Sequence, residues 1–82
     1  MRRVRVELYG RLREAGFGGS VALEVAPDAR AGDVLAALAR RLGARRGLLT
    51  GAALATGEAV LAAGEPVPSR GRLAALPPVC GG

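Results

Sequence analysis

The sequence predicts an α+β fold, a mixed sheet packed on one main helix, and three observations carry that prediction. Two runs near the N-terminus alternate apolar and polar residues, one central stretch has helical spacing, and two short apolar segments follow it. A sheet hides one face and a helix one stripe, so strand-strand-helix-strand-strand in 82 residues closes as one α+β unit, a single domain over 1–82.

The first run, 3–9, sets Val4, Val6 and Leu8 on one face and Arg3, Arg5, Glu7 and Tyr9 on the other, the period of a half-buried strand. In the second, Val21, Leu23 and Val25 oppose Ala22 and Glu24. The cluster Gly16-Phe17-Gly18-Gly19 supplies a loop between them, and the two runs form a hairpin that ends at Pro27-Asp28. From Ala31 the spacing becomes helical, with Ala31, Val34 or Leu35, Leu38 and Leu42 on one stripe and Gly43 as the stop. Arg30 stands where a small polar cap is usual, so a cap contribution of about 1 kcal/mol is expected to be missing.

Arg40, Arg41, Arg45 and Arg46 cluster at the helix C-terminal end. Two readings stand: complements to the helix dipole on a solvated face, or a basic patch that docks an acidic partner. Residues 47–58 carry weak signals, compatible with a short helix or a turn. Residues 59–63 read as a short strand before Gly64, and Leu73 to Leu76 as another that runs into the tail, 76–82. A right-handed crossover through the helix would set the third strand parallel to the neighbour of the second.

Composition excludes several function classes. The net charge of +5 suits phosphate binding, but Tyr9 and Phe17 are the only aromatics, so the stacking surfaces of nucleic-acid binders are missing. No apolar run reaches the roughly 18 residues of a membrane span, and no signal-peptide core follows the basic start. A single cysteine and no histidine leave no internal disulfide and no metal-ligand set, consistent with a reducing, cytoplasmic setting. Without His, Lys or a phosphate-binding loop no catalytic constellation can be assembled, which leaves a carrier or a binding module.

The sequence closes on Leu76-Pro77-Pro78-Val79-Cys80-Gly81-Gly82. Two prolines favour an extended, semi-rigid arm, and glycines without Cβ atoms can thread a narrow slot. A terminal carboxylate is ionised at neutral pH and a poor electrophile, so chemistry at Gly82 requires activation by a partner. Cys80 is a second candidate actor. Capture of the activated end by its thiol would force two amides away from trans geometry, so Cys80 reads as a small filler residue.

Ala75 to Gly82 resembles the end of the small, sulfur-carrying subunit of molybdopterin synthase (MoaD). The stretch Val4 to Gly16 is similar to that family's first strand and the segment after it, and Gly32 to Leu38 to the start of its helix. The resemblance implies a ubiquitin-like β-grasp fold with the last strand central. It also implies that an adenylating enzyme related to ubiquitin-activating enzymes, using ATP and Mg, activates Gly82. A sulfur donor then leaves a thiocarboxylate, which delivers sulfur to cyclic pyranopterin monophosphate in the large subunit of the synthase.

On that reading Gly81 and Gly82 carry the chemistry, while Leu76, Pro77, Pro78, Val79, Cys80 and Tyr9 bind partners, and the chain itself holds no cofactor. Tyr9 is expected at the tail's root, surrounded by Leu76 and by Leu73 or Ala75 according to register. The short basic loop Pro68-Ser69-Arg70-Gly71-Arg72 departs from the longer acidic connection usual in the family. The alternative is a related carrier for thiamin thiazole synthesis, tRNA thiolation or protein conjugation.

Overall fold

The computed structural model describes residues 1–57, 59–69 and 72–77. Strand β1 (Arg2–Leu8) pairs antiparallel with β2 (Ser20–Val25), with Val6 opposite Val21 and Arg2 opposite Val25. A 3-10 helix (Gly10–Ala15) lies between them and plugs one end of the core with Leu12. The expected strand over 3–9 is shifted by one residue. Tyr9 leaves the strand because its carbonyl accepts the Leu12 N–H at 3.2 Å and starts the 3-10 helix.

Helix α1 (Ala31–Leu42) buries Ala31, Val34, Ala37, Leu38 and Leu42 against the sheet, so Val34 rather than Leu35 holds the centre of the stripe. A second 3-10 helix (Gly43–Leu49) follows. Arg45 and Arg46 therefore lie beyond α1, and only Arg40 and Arg41 sit in its last turn. The weak 47–58 region contains β3 (Ala53–Ala55), a strand in which one leucine between two alanines gives no periodic signal. The 59–63 segment narrows to β4 (Val60–Leu61), antiparallel to β3.

β5 (Leu73–Leu76) is the middle strand of the sheet, whose order is β2-β1-β5-β3-β4. It runs parallel to β1 and antiparallel to β3, which places the first and last strands side by side. The crossover from the helix enters the sheet through β3, not through the 59–63 strand, and β3 is antiparallel to β5. Val4, Val6, Leu8, Val21, Leu23, Leu54, Leu73 and Ala75 face α1, and no buried polar or charged side chain occurs among the described residues. Each fully buried leucine contributes about 1.5–3 kcal/mol over an exposed one.

The helix N-terminus is satisfied from an unexpected source. The N–H of Ala31 donates to the Glu65 carbonyl and that of Gly32 to the Ala63 carbonyl, both at 2.9 Å, so the 62–67 loop supplies the acceptors a cap residue would. Gly32 permits the approach: a Cβ there would stand 3.2 Å from the Ala63 oxygen. Asp33 Oδ2 accepts the Arg30 N–H at 2.9 Å, and the Arg30 guanidinium, a donor only, ties down the Gly64 carbonyl at 2.6 Å. The expected loss at Arg30 is thus offset. No helix among the described residues is long and apolar enough to cross a membrane.

Candidate functional site

The chain leaves the sheet from its centre. Leu76 is still within β5, opposite Ala53, and Pro77 follows directly. Pro78, Val79, Cys80, Gly81 and Gly82 lie outside the described residues, as do Arg70 and Gly71 of the basic loop. The geometry available is therefore that of the root from which those residues continue.

Two contacts set that root. The Tyr9 N–H donates to the Ala75 carbonyl at 3.3 Å, extending the β1–β5 pairing to the end of β5. Gly10 adopts φ +59°, and a Cβ on it would lie 2.8 Å from Cγ of Pro77, closer than any side chain can stand. Gly10 is thus required twice, for the left-handed turn and for the space the proline ring fills.

On the face away from α1, alternation and register align Tyr9 with Leu76 and Ala53, and Glu7 with Ala74 and Ala55. Tyr9 is 44% exposed and Val60, opposite Ala55, is 60% exposed. The result is a mostly apolar strip beside Pro77, bordered by the Glu7 carboxylate. Leu73 and Ala75 do not surround Tyr9. Their register points them into the core, and of the three residues expected around Tyr9 only Leu76 shares its face.

Glu7 links the parts of this surface. Its Oε1 accepts the Tyr9 hydroxyl at 2.7 Å, and its Oε2 lies 3.6 Å from Nε of Arg72. The hydrogen bond to Glu7, then its negative charge, hold the Tyr9 phenol above its ordinary pKa, while Arg72 and Arg13 pull the other way. Glu7 was within reach of the sequence, since it shares a strand face with Tyr9. Arg72, Gly10 and Ala53 were not, because their roles depend on the parallel β1–β5 register and on a strand with no periodic signal.

Two arginines of the cluster are engaged within the chain. The Arg41 guanidinium lies over the Phe17 ring at 5.6 Å, and Arg45 donates to the Glu14 carbonyl at 2.6 Å. Arg2 likewise donates to the carbonyls of Val67 and Pro68. These guanidiniums clasp loops, a task that adds to the helix-dipole reading.

No protein-family model matches the sequence, and no curated protein matches it. Solved structures do. One of the small archaeal modifier protein SAMP1 from Haloferax volcanii superposes with TM-score 0.72 at 27% identity, covering 99% of this chain and 100% of that one. A second structure of H. volcanii small archaeal modifier protein 1 gives 0.73 at 26%, over 96% and 100%. A Pyrococcus furiosus protein provisionally described as molybdopterin converting factor, subunit 1 gives 0.69 at 15%, again over 96% and 100%, a likeness of fold alone. With β5 central and one main helix across the sheet, the chain has a ubiquitin-like β-grasp fold of the MoaD/ThiS type.

Proposed function

We propose that this chain is a sulfur carrier whose Gly82 carboxylate is activated by a partner, and that it serves as the small subunit of a molybdopterin synthase. The fold supports a sulfur-carrier or ubiquitin-like protein role. The observation that carries the finer reading is the sequence Pro77-Pro78-Val79-Cys80-Gly81-Gly82 issuing directly from the central strand.

The chemistry follows from what a carboxylate lacks. Its oxygen attacks the α-phosphorus of ATP, pyrophosphate leaves, and the acyl-adenylate now has a leaving group. A sulfide equivalent from the sulfur donor adds at the acyl carbon and AMP departs, leaving a thiocarboxylate, a soft and strong nucleophile. In the large subunit that sulfur passes to the pyranopterin, and oxygen from water restores the carboxylate. ATP and Mg belong to the adenylating enzyme. This chain contributes the tail and, through the strip around Tyr9 and Leu76, a surface for the subunit that receives it.

A second reading, protein modification, is favoured by the likeness to the archaeal modifier protein. The two separate by intact mass after co-expression with the adenylating enzyme. A species heavier by about 16 Da marks oxygen replaced by sulfur, whereas conjugates to other proteins mark a modifier. Failure to gain either product would defeat both readings. The absence of lysine adds a constraint: all twelve basic residues are arginine, so no side-chain amine of one copy can accept the activated end of another.

A further inference from the structure

We propose that the end of the molecule from which the tail departs is a cationic docking pole, and that it seats on an acidic rim around the slot of the enzyme that activates Gly82. The identity of that enzyme rests on the sulfur-carrier reading.

The pole is assembled around the tail's root. The first 3-10 helix starts at Gly10, against which the Pro77 ring packs. Arg45 of the second 3-10 helix donates to the Glu14 carbonyl at 2.6 Å, and Arg41, in the last turn of α1, lies over the Phe17 ring at 5.6 Å. These contacts join both 3-10 helices and the C-terminal turn of α1 into one surface. Arg11, Arg13, Arg40, Arg41, Arg45 and Arg46 are all exposed on it.

Charge is divided unevenly between this end and the rest of the chain. The three segments carry those six arginines and a single carboxylate, Glu14, whereas the other six arginines of the sequence are balanced by six carboxylates. The net charge of +5 thus resides where the tail leaves. Arg40 shares a side groove with Glu24, and without it five guanidiniums still stand against one carboxylate. Glu7, on the neighbouring open face, is offset by Arg72 at 3.6 Å.

Geometry identifies the occupant. A chain without His or Lys needs an enzyme to activate its carboxylate, and an enzyme that takes the tail must approach this end. Like charges across an interface are strongly disfavoured, so the facing rim is acidic. The floor of the slot has the opposite requirement, because Gly82 brings a carboxylate. The five residues beyond Pro77 reach at most about 18 Å, some twice the screening length of about 8 Å at physiological salt, so rim and floor can differ in sign. RNA would feel the same field, but Phe17 is covered by Arg41, and Arg45 is already spent on a carbonyl. That leaves a broad field without a stacking surface, suited to steering a protein partner.

The test is stopped-flow association of the full chain with the adenylating enzyme, without ATP, across a salt series. Arg11 and Arg46 make no hydrogen bond or ion pair among the described residues, so joint Arg11→Gln and Arg46→Gln substitution removes charge without breaking a contact. We expect the association rate constant to fall about fivefold at low salt, a share of the 10- to 1000-fold that steering supplies. The deficit should vanish near 1 M salt, where screening acts beyond about 3 Å. Ala26→Glu with Ala62→Glu makes the same change in net charge at the other end, beside the N-terminus of α1, and should leave the rate nearly unaltered. Equal slowing by both pairs, association insensitive to salt, no association, or tighter binding of an RNA duplex than of the enzyme would each overturn the proposal. A product heavier by about 16 Da formed after salt-insensitive association would keep the carrier reading and remove the pole. Steered association that yields no such product would support the pole and defeat the carrier reading.

Discussion

Tyr9 earns its place through its neighbours. It stands on the open face because its extended backbone (φ −119°, ψ 158°) carries the alternation of β1 one residue past the strand, and its hydroxyl is oriented by Glu7, which in turn lies against Arg72. As the only tyrosine in a chain without tryptophan, it can be followed alone by near-ultraviolet titration. Its midpoint should lie above the ordinary 10.0 and fall toward that value in Glu7→Gln, since the hydrogen bond to Glu7 is the main cause of the rise. A raised pKa means the folded state holds the proton more tightly. The associated stability is complete at neutral pH and fades only as alkaline pH passes the folded-state value. If the open face receives the large subunit, Tyr9→Ala should weaken that complex by about 1 kcal/mol or more, as loss of aromatic anchors does. Unchanged calorimetric affinity of a well-folded variant would remove Tyr9 as an anchor. The outward direction of Tyr9 was legible from a period of two, whereas Arg72 became its neighbour only through the pairing of opposite ends of the chain.

Among the elements, the turn after β1 and the loop before β5 show how connections acquire structural duties. Gly10→Ala places a methyl group in the left-handed region and against Pro77. The backbone penalty and the clash together should cost about 1–3 kcal/mol in urea unfolding. Gly47→Ala, with no atom within 4 Å of its added Cβ, should change stability by under about 0.5 kcal/mol. The two long strands and α1 were readable because their apolar periods are clean. β3 was hidden by its composition: Ala53 and Ala55 are too small to mark a face, and only Leu54 fills the core. The capping of α1 by the carbonyls of Ala63 and Glu65 was equally hidden, since backbone acceptors leave no trace in side-chain identity.

Among the described residues of the molecule, the buried apolar ones run from Val4 to Ala75 and close a core without the diglycine. Deleting Gly81 and Gly82 should therefore abolish sulfur acceptance while moving the melting temperature by no more than a few degrees, about the shift that 1 kcal/mol produces. A larger drop would mean that the last residues brace the domain. Cys80→Ser should retain most sulfur transfer. If it were adenylated yet failed to accept sulfur, the thiol would have a direct role. The architecture could be anticipated because a single helix and alternating strands admit few compact solutions, while the chemistry proposed for the tail rests on its sequence motif. The central position of β5 also has a mechanical meaning. Traction applied beyond Pro77 runs along a strand held on one side by β1 and on the other by β3. Its hydrogen bonds lie across that pull and share the load in shear, instead of parting one by one as on an edge strand. On the proposed function, a partner could draw the end of the chain into a narrow slot without unravelling the body that delivers it.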